Sequence, residues 1–250
     1  VRDRASTIGR ELVASMSMRT GQMCTSPGLV LVPSGDSADA LVNAAACALP
    51  DLPANPMLSL GIARTFADRV ERAIQCDGVE VVARVAGDRD IAASAAPALL
   101  RTTADCALAA PSLLEEMFGP VAIVVEVRDQ SELRQLLEQL DGQLTVSVHA
   151  ADDDLAAVRV LLPVLERIAG RILFNDWPTG VEVGHSMVHG GPYPAASDAR
   201  ATSVGTLAID RFLRPVAYQS FPEGILPDGL GSSNPERWPR LIDGEPERHD

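Results

Sequence analysis

The stretch "GLVLVPSGDSADALVNAAACAL", residues 28–49, decides the fold class because it contains the signals of a strand followed by a helix. Its first six residues form a short, nearly continuous apolar run, which is the pattern of a strand buried on both faces of a sheet. The Asp- and Ser-rich start of the remainder, followed by apolar residues at helical spacing, indicates an amphipathic helix. Residues 28–49 therefore predict one β-α unit.

The same alternation continues along the chain on the C-terminal side of this unit. Further strands are predicted over 79–86, 121–127, 144–150 and 171–175, and further helices over 59–75, 129–140 and 152–169. Strands and helices that take turns in this way usually build a parallel sheet with helices on both faces. We therefore predict an α/β fold with a mostly parallel, twisted sheet.

The sequence changes in character after Asn175. Residues 176–205 are dense in Gly, Pro, Ser and Asp, which favours turns, and so long a loop in a compact domain is usually functional. The next segment, "TLAIDRFL", predicts a short helix, and "RPVAYQSF" predicts an edge or exchanged strand. We expect one domain over 1–213, an oligomerisation strand over 214–222 and an extended tail over 223–250.

Composition and charge exclude several classes of protein. The 250 residues, 46% of them hydrophobic, suffice for one large core or two small ones at roughly 100–200 residues per domain. A net charge of −13 disfavours nucleic-acid partners, and four scattered cysteines with four histidines suggest neither a metal site nor a disulfide framework. Without a long apolar run or a signal-peptide core, we expect no membrane partner and a cytoplasmic location.

Cys24 stands in "GQMCTSPG", residues 21–28, just before a Thr-Ser-Pro-Gly turn. A thiol becomes a nucleophile where its thiolate is favoured, for example by exposed backbone N–H groups, and such a turn could supply them. Most free cysteines are instead buried and inert, which is how we interpret Cys47, Cys76 and Cys106. The segment alone does not decide whether Cys24 is a nucleophile or an inert structural cysteine.

A second stretch, "LLEEMFGPVAIVVEV" at residues 113–127, places a Glu pair, a Phe and a Gly-Pro turn before a buried strand. Together the two stretches resemble the aldehyde dehydrogenase superfamily, whose members carry Gly-Gln-x-Cys-Thr around the nucleophile and Glu-x-Phe-Gly-Pro further on. Residues 170–222 resemble the branch that acts on 2-oxoglutarate semialdehyde (2,5-dioxopentanoate), notably in "PTGVEV", "MVHGGPYPA" and "SDARATSVG". The resemblance covers about residues 9–222.

The resemblance implies a catalytic domain over 1–213, with NAD or NADP as cofactor and a small aldehyde as substrate. It makes Cys24 the nucleophile that forms a thiohemiacetal and then a thioester, with its own amide as an oxyanion donor. Glu116 would hold the nicotinamide ribose hydroxyls, and Phe118 would line the nicotinamide side. The 176–192 loop would line the aldehyde pocket, while we interpret the two loop histidines as hydrogen-bonded residues without a transferred role: His185 and His189.

The resemblance also implies that parts are missing. In the family the dinucleotide-binding domain, the general-base Glu and the oxyanion Asn precede the nucleophile, whereas only 23 residues precede Cys24 here. General-base assistance is typically worth about 10²–10⁴-fold in rate, and without a positioned cofactor there is no hydride acceptor. We therefore expect this chain alone to be nearly inactive as a dehydrogenase.

Two other functions remain open at this point. An unpaired strand at 214–222 invites pairing, so the chain could be a non-enzymatic assembly or dimerisation module. Cys24 could also support esterase-like acyl transfer without a cofactor. An uncovered apolar surface favours association, and we expect a homo-oligomer, most simply a dimer.

Overall fold

The computed structural model describes residues 4–247. Its helices are α1 (Ala5–Ser17), α2 (Asp36–Ala48), α3 (Leu60–Ile74), α4 (Ala104–Ala109), α5 (Gln130–Gln139) and α6 (Leu155–Ile168). Its strands are β1 (Leu29–Pro33), β2 (Asn55–Pro56), β3 (Glu80–Arg84), β4 (Ser94–Ala95), β5 (Ala98–Thr103), β6 (Val121–Val127), β7 (Gln143–Val148), β8 (Ala169–Phe174), β9 (Leu241–Ile242) and β10 (Glu245–Pro246). The chain divides into two compact units, one ending at Arg211 and the other starting at Phe212.

The first unit contains a sheet in the order β1-β6-β5-β3. Strands β1, β6 and β5 run parallel, with Leu29 opposite Ile123, and β3 pairs antiparallel with β5 at the edge. A separate parallel pair, β7 and β8, follows later in the chain. The prediction of an α/β fold with a mostly parallel sheet is confirmed.

Helices cover both faces of this sheet, and the alternation of side chains along β5 and β6 explains how. One face packs against α1 and α2 and presents Leu99, Ala122 and Val124. The other packs against α3, α4 and α5 and presents Leu100, Ile123 and Val125. Because successive side chains of a strand point to opposite faces, the apolar run "VAIVVEV" suits the centre of a two-sided core.

One predicted feature differs from the structure in this region, and two elements were missed. In β1 only Val32 is buried, because β1 pairs with β6 on one side and lines a cleft; the strand buried on both faces is β6. Helix α1 and strand β5 were not predicted. Strand β5 contains Arg101, which interrupts its apolar run but is paired with Glu126 on β6 and, at 2.6 Å, with Asp39 on α2.

The C-terminal segments also depart from expectation. Residues 206–213, predicted as a helix, form a 3₁₀-helix over Thr206–Phe212. Residues 214–222 form no ladder within the described chain, since a strand is defined by backbone hydrogen bonds to a neighbour. The oligomerisation strand therefore remains a prediction that needs a partner chain.

The second unit, followed to residue 247, is more ordered than the extended tail predicted over 223–250. Strands β9 and β10 pair antiparallel, and Arg240 pairs with Glu247 at 2.8 Å. Asn234 is buried, accepting from the Trp238 backbone N–H and donating to the Trp238 carbonyl, each at 2.9 Å. The last three residues of the predicted tail lie outside the described residues.

Candidate active site

The segment between α1 and Cys24 has a constrained backbone. Arg19, Thr20 and Gly21 have φ values of 51°, 60° and 65°, all in the left-handed region. A non-glycine residue there costs roughly 1–2 kcal/mol, so tertiary contacts must hold the turn. The Leu58 N–H donates to the Gln22 side chain at 2.9 Å, and the Thr20 hydroxyl lies 3.4 Å from the Pro56 carbonyl. These contacts fix the chain immediately before Cys24.

Two glycines bring the two motifs of the sequence into direct contact. A Cβ on Gly21 would lie 2.1 Å from the carbonyl carbon of Gly119, and a Cβ on Gly119 would lie 2.2 Å from the Phe66 ring. Only glycine allows backbones to approach this closely. The segment of Cys24 and the Glu-Met-Phe-Gly-Pro segment, far apart in sequence, therefore meet backbone to backbone.

All three site residues predicted from the sequence line one cleft. The cleft has a volume of about 1640 Å³, and its walls include β1 and β7 together with Cys24, Glu116 and Phe118. Cys24 is exposed within it, in contrast to the buried Thr25 that follows. The structure thus brings these residues together on one accessible surface.

Glu116 and Phe118 are presented by the loop that leads into β6. Arg69 on α3 donates to the Glu116 carbonyl and lies 3.5 Å from the Glu115 carboxylate, which anchors this loop. Both Glu116 and Phe118 are exposed, and within residues 4–247 the Glu116 carboxylate forms no ion pair. A carboxylate without an ion-pair partner can bind hydroxyl groups, and an exposed aromatic ring in the same cleft can bind a flat heterocycle.

His189 also belongs to the site, which the sequence did not predict. Its Nε2 lies 3.2 Å from the Cys24 Sγ, across 165 residues of sequence. Its backbone N–H donates to the Thr202 hydroxyl at 2.8 Å, and its carbonyl accepts from the Ser203 N–H at 2.9 Å. His189 is hydrogen-bonded, as expected of a loop histidine, but its partner is the candidate nucleophile.

His185, the other histidine of this loop, is a hydrogen-bonded loop residue, as the sequence analysis interpreted it. Its Nδ1 lies 3.0 Å from the Thr206 hydroxyl. No local signal separates His185 from His189, since both stand in the same Gly-rich loop. The difference arises only when the loop folds against the segment of Cys24.

Arg171 on β8 organises the loop that carries His189. Its guanidinium donates to the carbonyls of Pro178 at 2.8 Å and Gly180 at 2.9 Å. Burial, and secondly the charge of Arg171, lower the pKa of His189 from its ordinary value near 6.5. The His189 ring is therefore neutral at neutral pH and can accept a proton.

With this geometry in hand, comparison with known proteins identifies the family. The profile described as "Aldehyde dehydrogenase family" matches residues 3–195. The chain belongs to the aldehyde dehydrogenase family. Because the profile spans the segments of both Cys24 and Glu116, it includes the two motifs that the structure brings together.

Two relatives of this aldehyde dehydrogenase family member are semialdehyde dehydrogenases by name. It is 46% identical over 245 residues to alpha-ketoglutaric semialdehyde dehydrogenase 2 of Azospirillum brasilense, covering 98% of this chain and 46% of the relative. It is 40% identical over 246 residues to alpha-ketoglutaric semialdehyde dehydrogenase of Acinetobacter baylyi, and this match covers 96% of this chain and 46% of the relative. The chain thus spans about half the length of the curated relatives it matches.

Solved structures share the fold of this aldehyde dehydrogenase family chain. An NADP-dependent glyceraldehyde-3-phosphate dehydrogenase from Bacillus halodurans matches with a TM-score of 0.56 and 24% identity, covering 70% of this chain and 36% of that one. An NAD-dependent benzaldehyde dehydrogenase from Corynebacterium glutamicum matches with a TM-score of 0.52 and 20% identity, and the match covers 68% of this chain and 37% of that one. At these identities the likeness supports the fold alone.

In this aldehyde dehydrogenase family chain, the loop after β8 is also tied to α1. The Trp177 indole N–H donates to Glu11 at 3.0 Å, and the Ser15 and Thr179 hydroxyls lie 2.9 Å apart. The Trp177 ring also packs on His149, with centroids 4.7 Å apart. Contacts with α1 and with His149, the residue after β7, therefore hold the start of the loop that later carries His189.

Proposed function

We propose that the chain forms the nucleophile-bearing part of an NAD(P)-dependent dehydrogenase that oxidises 2-oxoglutarate semialdehyde or a similar aldehyde. The observation that carries this proposal is the exposure of Cys24 in the same cleft as Glu116 and Phe118. The substrate class rests on the names of the relatives at 46% and 40% identity.

In this mechanism the Cys24 sulfur attacks the aldehyde carbon and a C–S bond forms. The carbonyl electrons move to oxygen, which becomes an oxyanion. The Cys24 N–H makes no backbone hydrogen bond among residues 4–247, so it is available to donate to that oxygen. The loss of hydride then leaves a thioester on Cys24, which water hydrolyses to the acid.

The cleft fits a nicotinamide cofactor. A bound nicotinamide would supply the acceptor for the hydride that leaves the carbon attached to Cys24. In this proposal the Glu116 carboxylate would accept hydrogen bonds from ribose hydroxyls and the exposed Phe118 ring would line the nicotinamide side, which is supported by their position in the wall of the same cleft as Cys24. Related folds are named for either NAD or NADP dependence, and we propose one of these two cofactors.

The chain alone is expected to form little NAD(P)H, because relatives named as dehydrogenases are about twice as long. The proposal is therefore tested in a chimaera in which this chain replaces the matching segment of the Azospirillum brasilense relative. We expect NAD(P)H formation, followed at 340 nm, with 2-oxoglutarate semialdehyde in preference to benzaldehyde. A folded chimaera that reduces neither NAD nor NADP would contradict the proposal.

We further propose that the protein is cytoplasmic and a homo-oligomer. Across residues 4–247 no helix is long and apolar enough to cross a membrane. Assembly is supported by the large apolar side chains exposed in and beside the predicted strand 214–222, namely Phe212, Leu213, Val216, Tyr218 and Phe221. The same exposure is the observation that favours an assembly module as the second candidate function.

A further inference from the structure

We propose that His189 is the base that takes the thiol proton of Cys24 as the sulfur attacks the aldehyde. This inference rests on the proposed function, because it assumes that Cys24 is the nucleophile. The 3.2 Å separation between Cys24 Sγ and His189 Nε2 is within the reach of direct proton transfer. His189 is then a catalytic residue that lies 165 residues after Cys24 in the sequence.

The surroundings of His189 keep its ring in the form that can accept this proton. Its Nδ1 is buried and has no hydrogen-bond partner among the described residues. The charged or titratable groups that act on the ring are Arg171 from β8 and Cys24 itself, while Thr202 and Ser203 of its own loop are neutral. Burial and a nearby cation both disfavour imidazolium.

Hydrogen bonds to the backbone of His189 fix the segment that carries its ring before substrate arrives. The Thr202 hydroxyl accepts from the His189 N–H at 2.8 Å and donates to the Val204 carbonyl at 2.7 Å. The Ser203 N–H and hydroxyl both donate to the His189 carbonyl, at 2.9 and 3.0 Å. Such preorganisation lowers the entropy cost of reaching the reactive geometry.

The proton transfer balances in atoms and charge. The Sγ–H bond breaks and an Nε2–H bond forms, while the sulfur electron pair forms the bond to the aldehyde carbon. The carbonyl π electrons move to oxygen, which leaves one oxyanion and one imidazolium where there were two neutral groups.

The test uses the 250-residue chain and iodoacetamide, and needs neither aldehyde nor dinucleotide. The rate of Cys24 alkylation is measured from pH 5 to 9 by mass spectrometry of its peptide. We expect His189→Ala and His189→Gln each to slow Cys24 alkylation at pH 7 by about 10²-fold, the lower end of the effect of a general base. Cys47, which the structure shows to be exposed and not buried as the sequence analysis expected, serves as an internal control for the reagent.

The pH profile separates a base from a structural residue. In the unsubstituted chain the alkylation of Cys24 is expected to fall as the pH drops through the lowered pKa of His189, and both His189 variants should lose this inflection. His185→Ala, in the same loop but bonded to Thr206, should retain the unsubstituted profile. His189→Gln can still hydrogen-bond to sulfur, so its failure to restore the rate identifies proton acceptance as the missing function.

The proposal is overturned if the profiles of both His189 variants superimpose on that of the unsubstituted chain, or if Cys47 slows to the same extent as Cys24. Normal alkylation in the variants of a chain whose chimaera oxidises the aldehyde would reject His189 as base and leave the proposed function standing. An inactive chimaera with His189-dependent alkylation would reject the function and retain the Cys24–His189 pair.

Discussion

At the scale of single residues, the site depends on two glycines as much as on its reactive groups. Gly21 adopts φ 65° and leaves no room for a Cβ, which would lie 2.1 Å from Gly119. The contact sets the position of Cys24, three residues later, relative to Glu116 and Phe118. The placement of the nucleophile is therefore a property of backbone packing between two segments.

Gly21→Ala is expected to destabilise the protein by about 2–4 kcal/mol, because it combines a left-handed backbone with a backbone clash. Urea unfolding measures this change in the free energy of unfolding. Gly28→Ala is the matched control, since its Cβ would meet nothing closer than the Val121 carbonyl at 4.0 Å. Equal stability of the two variants would show that the Gly21–Gly119 contact does not constrain the site.

At the scale of elements, Trp177 supports the loop after β8, but its contact with His149 buries an imidazole that has no hydrogen-bond partner among the described residues. His149 follows β7 and packs on Trp177, with neither ring nitrogen hydrogen-bonded among the described residues. Burial, and secondly the charge of Arg4, lower the pKa of His149. The imidazole of His149 therefore binds a proton more readily in the unfolded chain than in the folded one. Its effect on the free energy of unfolding is absent above about pH 6.5, and the protein loses stability as the pH falls below this value.

His149→Phe is therefore expected to reduce the loss of thermal stability between pH 7.5 and pH 5.5, while retaining an aromatic contact with Trp177. His185→Phe, in an exposed part of the loop, serves as the control and should not change the pH dependence. Unfolding followed by circular dichroism at each pH measures the effect. An unchanged pH dependence in His149→Phe would show that the buried imidazole does not contribute to acid destabilisation.

The elements also show what sequence reasoning reaches in this chain. The bounds of β6 were predicted without error because five consecutive apolar residues begin the segment "VAIVVEV". The helix predicted over 59–75 corresponds to α3, whose apolar face packs on the core. Strand β5 was missed because Arg101 breaks its pattern, and its pairing with Glu126 and Asp39 exists only in the folded sheet. Cys24, Glu116 and Phe118 stand in local motifs, whereas His189 joins Cys24 only through tertiary structure.

At the scale of the whole molecule, the described chain separates into two units with different surfaces. The first contains the sheet and the cleft. The second begins with exposed apolar side chains, among them Val216 at 57% exposed and Phe221 at 44%, on a segment that pairs with no strand among residues 4–247. Such a segment is suited to strand pairing with another copy.

Val216→Lys is expected to shift the protein from dimer toward monomer, because a charge in an apolar strand interface would lose its hydration. Light scattering over a concentration series measures the mass. Ile225→Lys, at a similarly exposed site outside the predicted strand, should leave the mass unchanged. A protein that is monomeric at all concentrations, or a dimer insensitive to Val216→Lys, would contradict the proposed strand exchange.

The most direct test of the central claim is the rate of NAD(P)H formation by the chimaera carrying Cys24→Ser, beside the same chimaera carrying Cys47→Ser. Both variants remove one exposed thiol, but only Cys24 lines the cleft with Glu116 and Phe118. We expect Cys24→Ser to abolish turnover of 2-oxoglutarate semialdehyde and Cys47→Ser to retain it. Full turnover in the Cys24→Ser chimaera would contradict the assignment of Cys24 as the nucleophile.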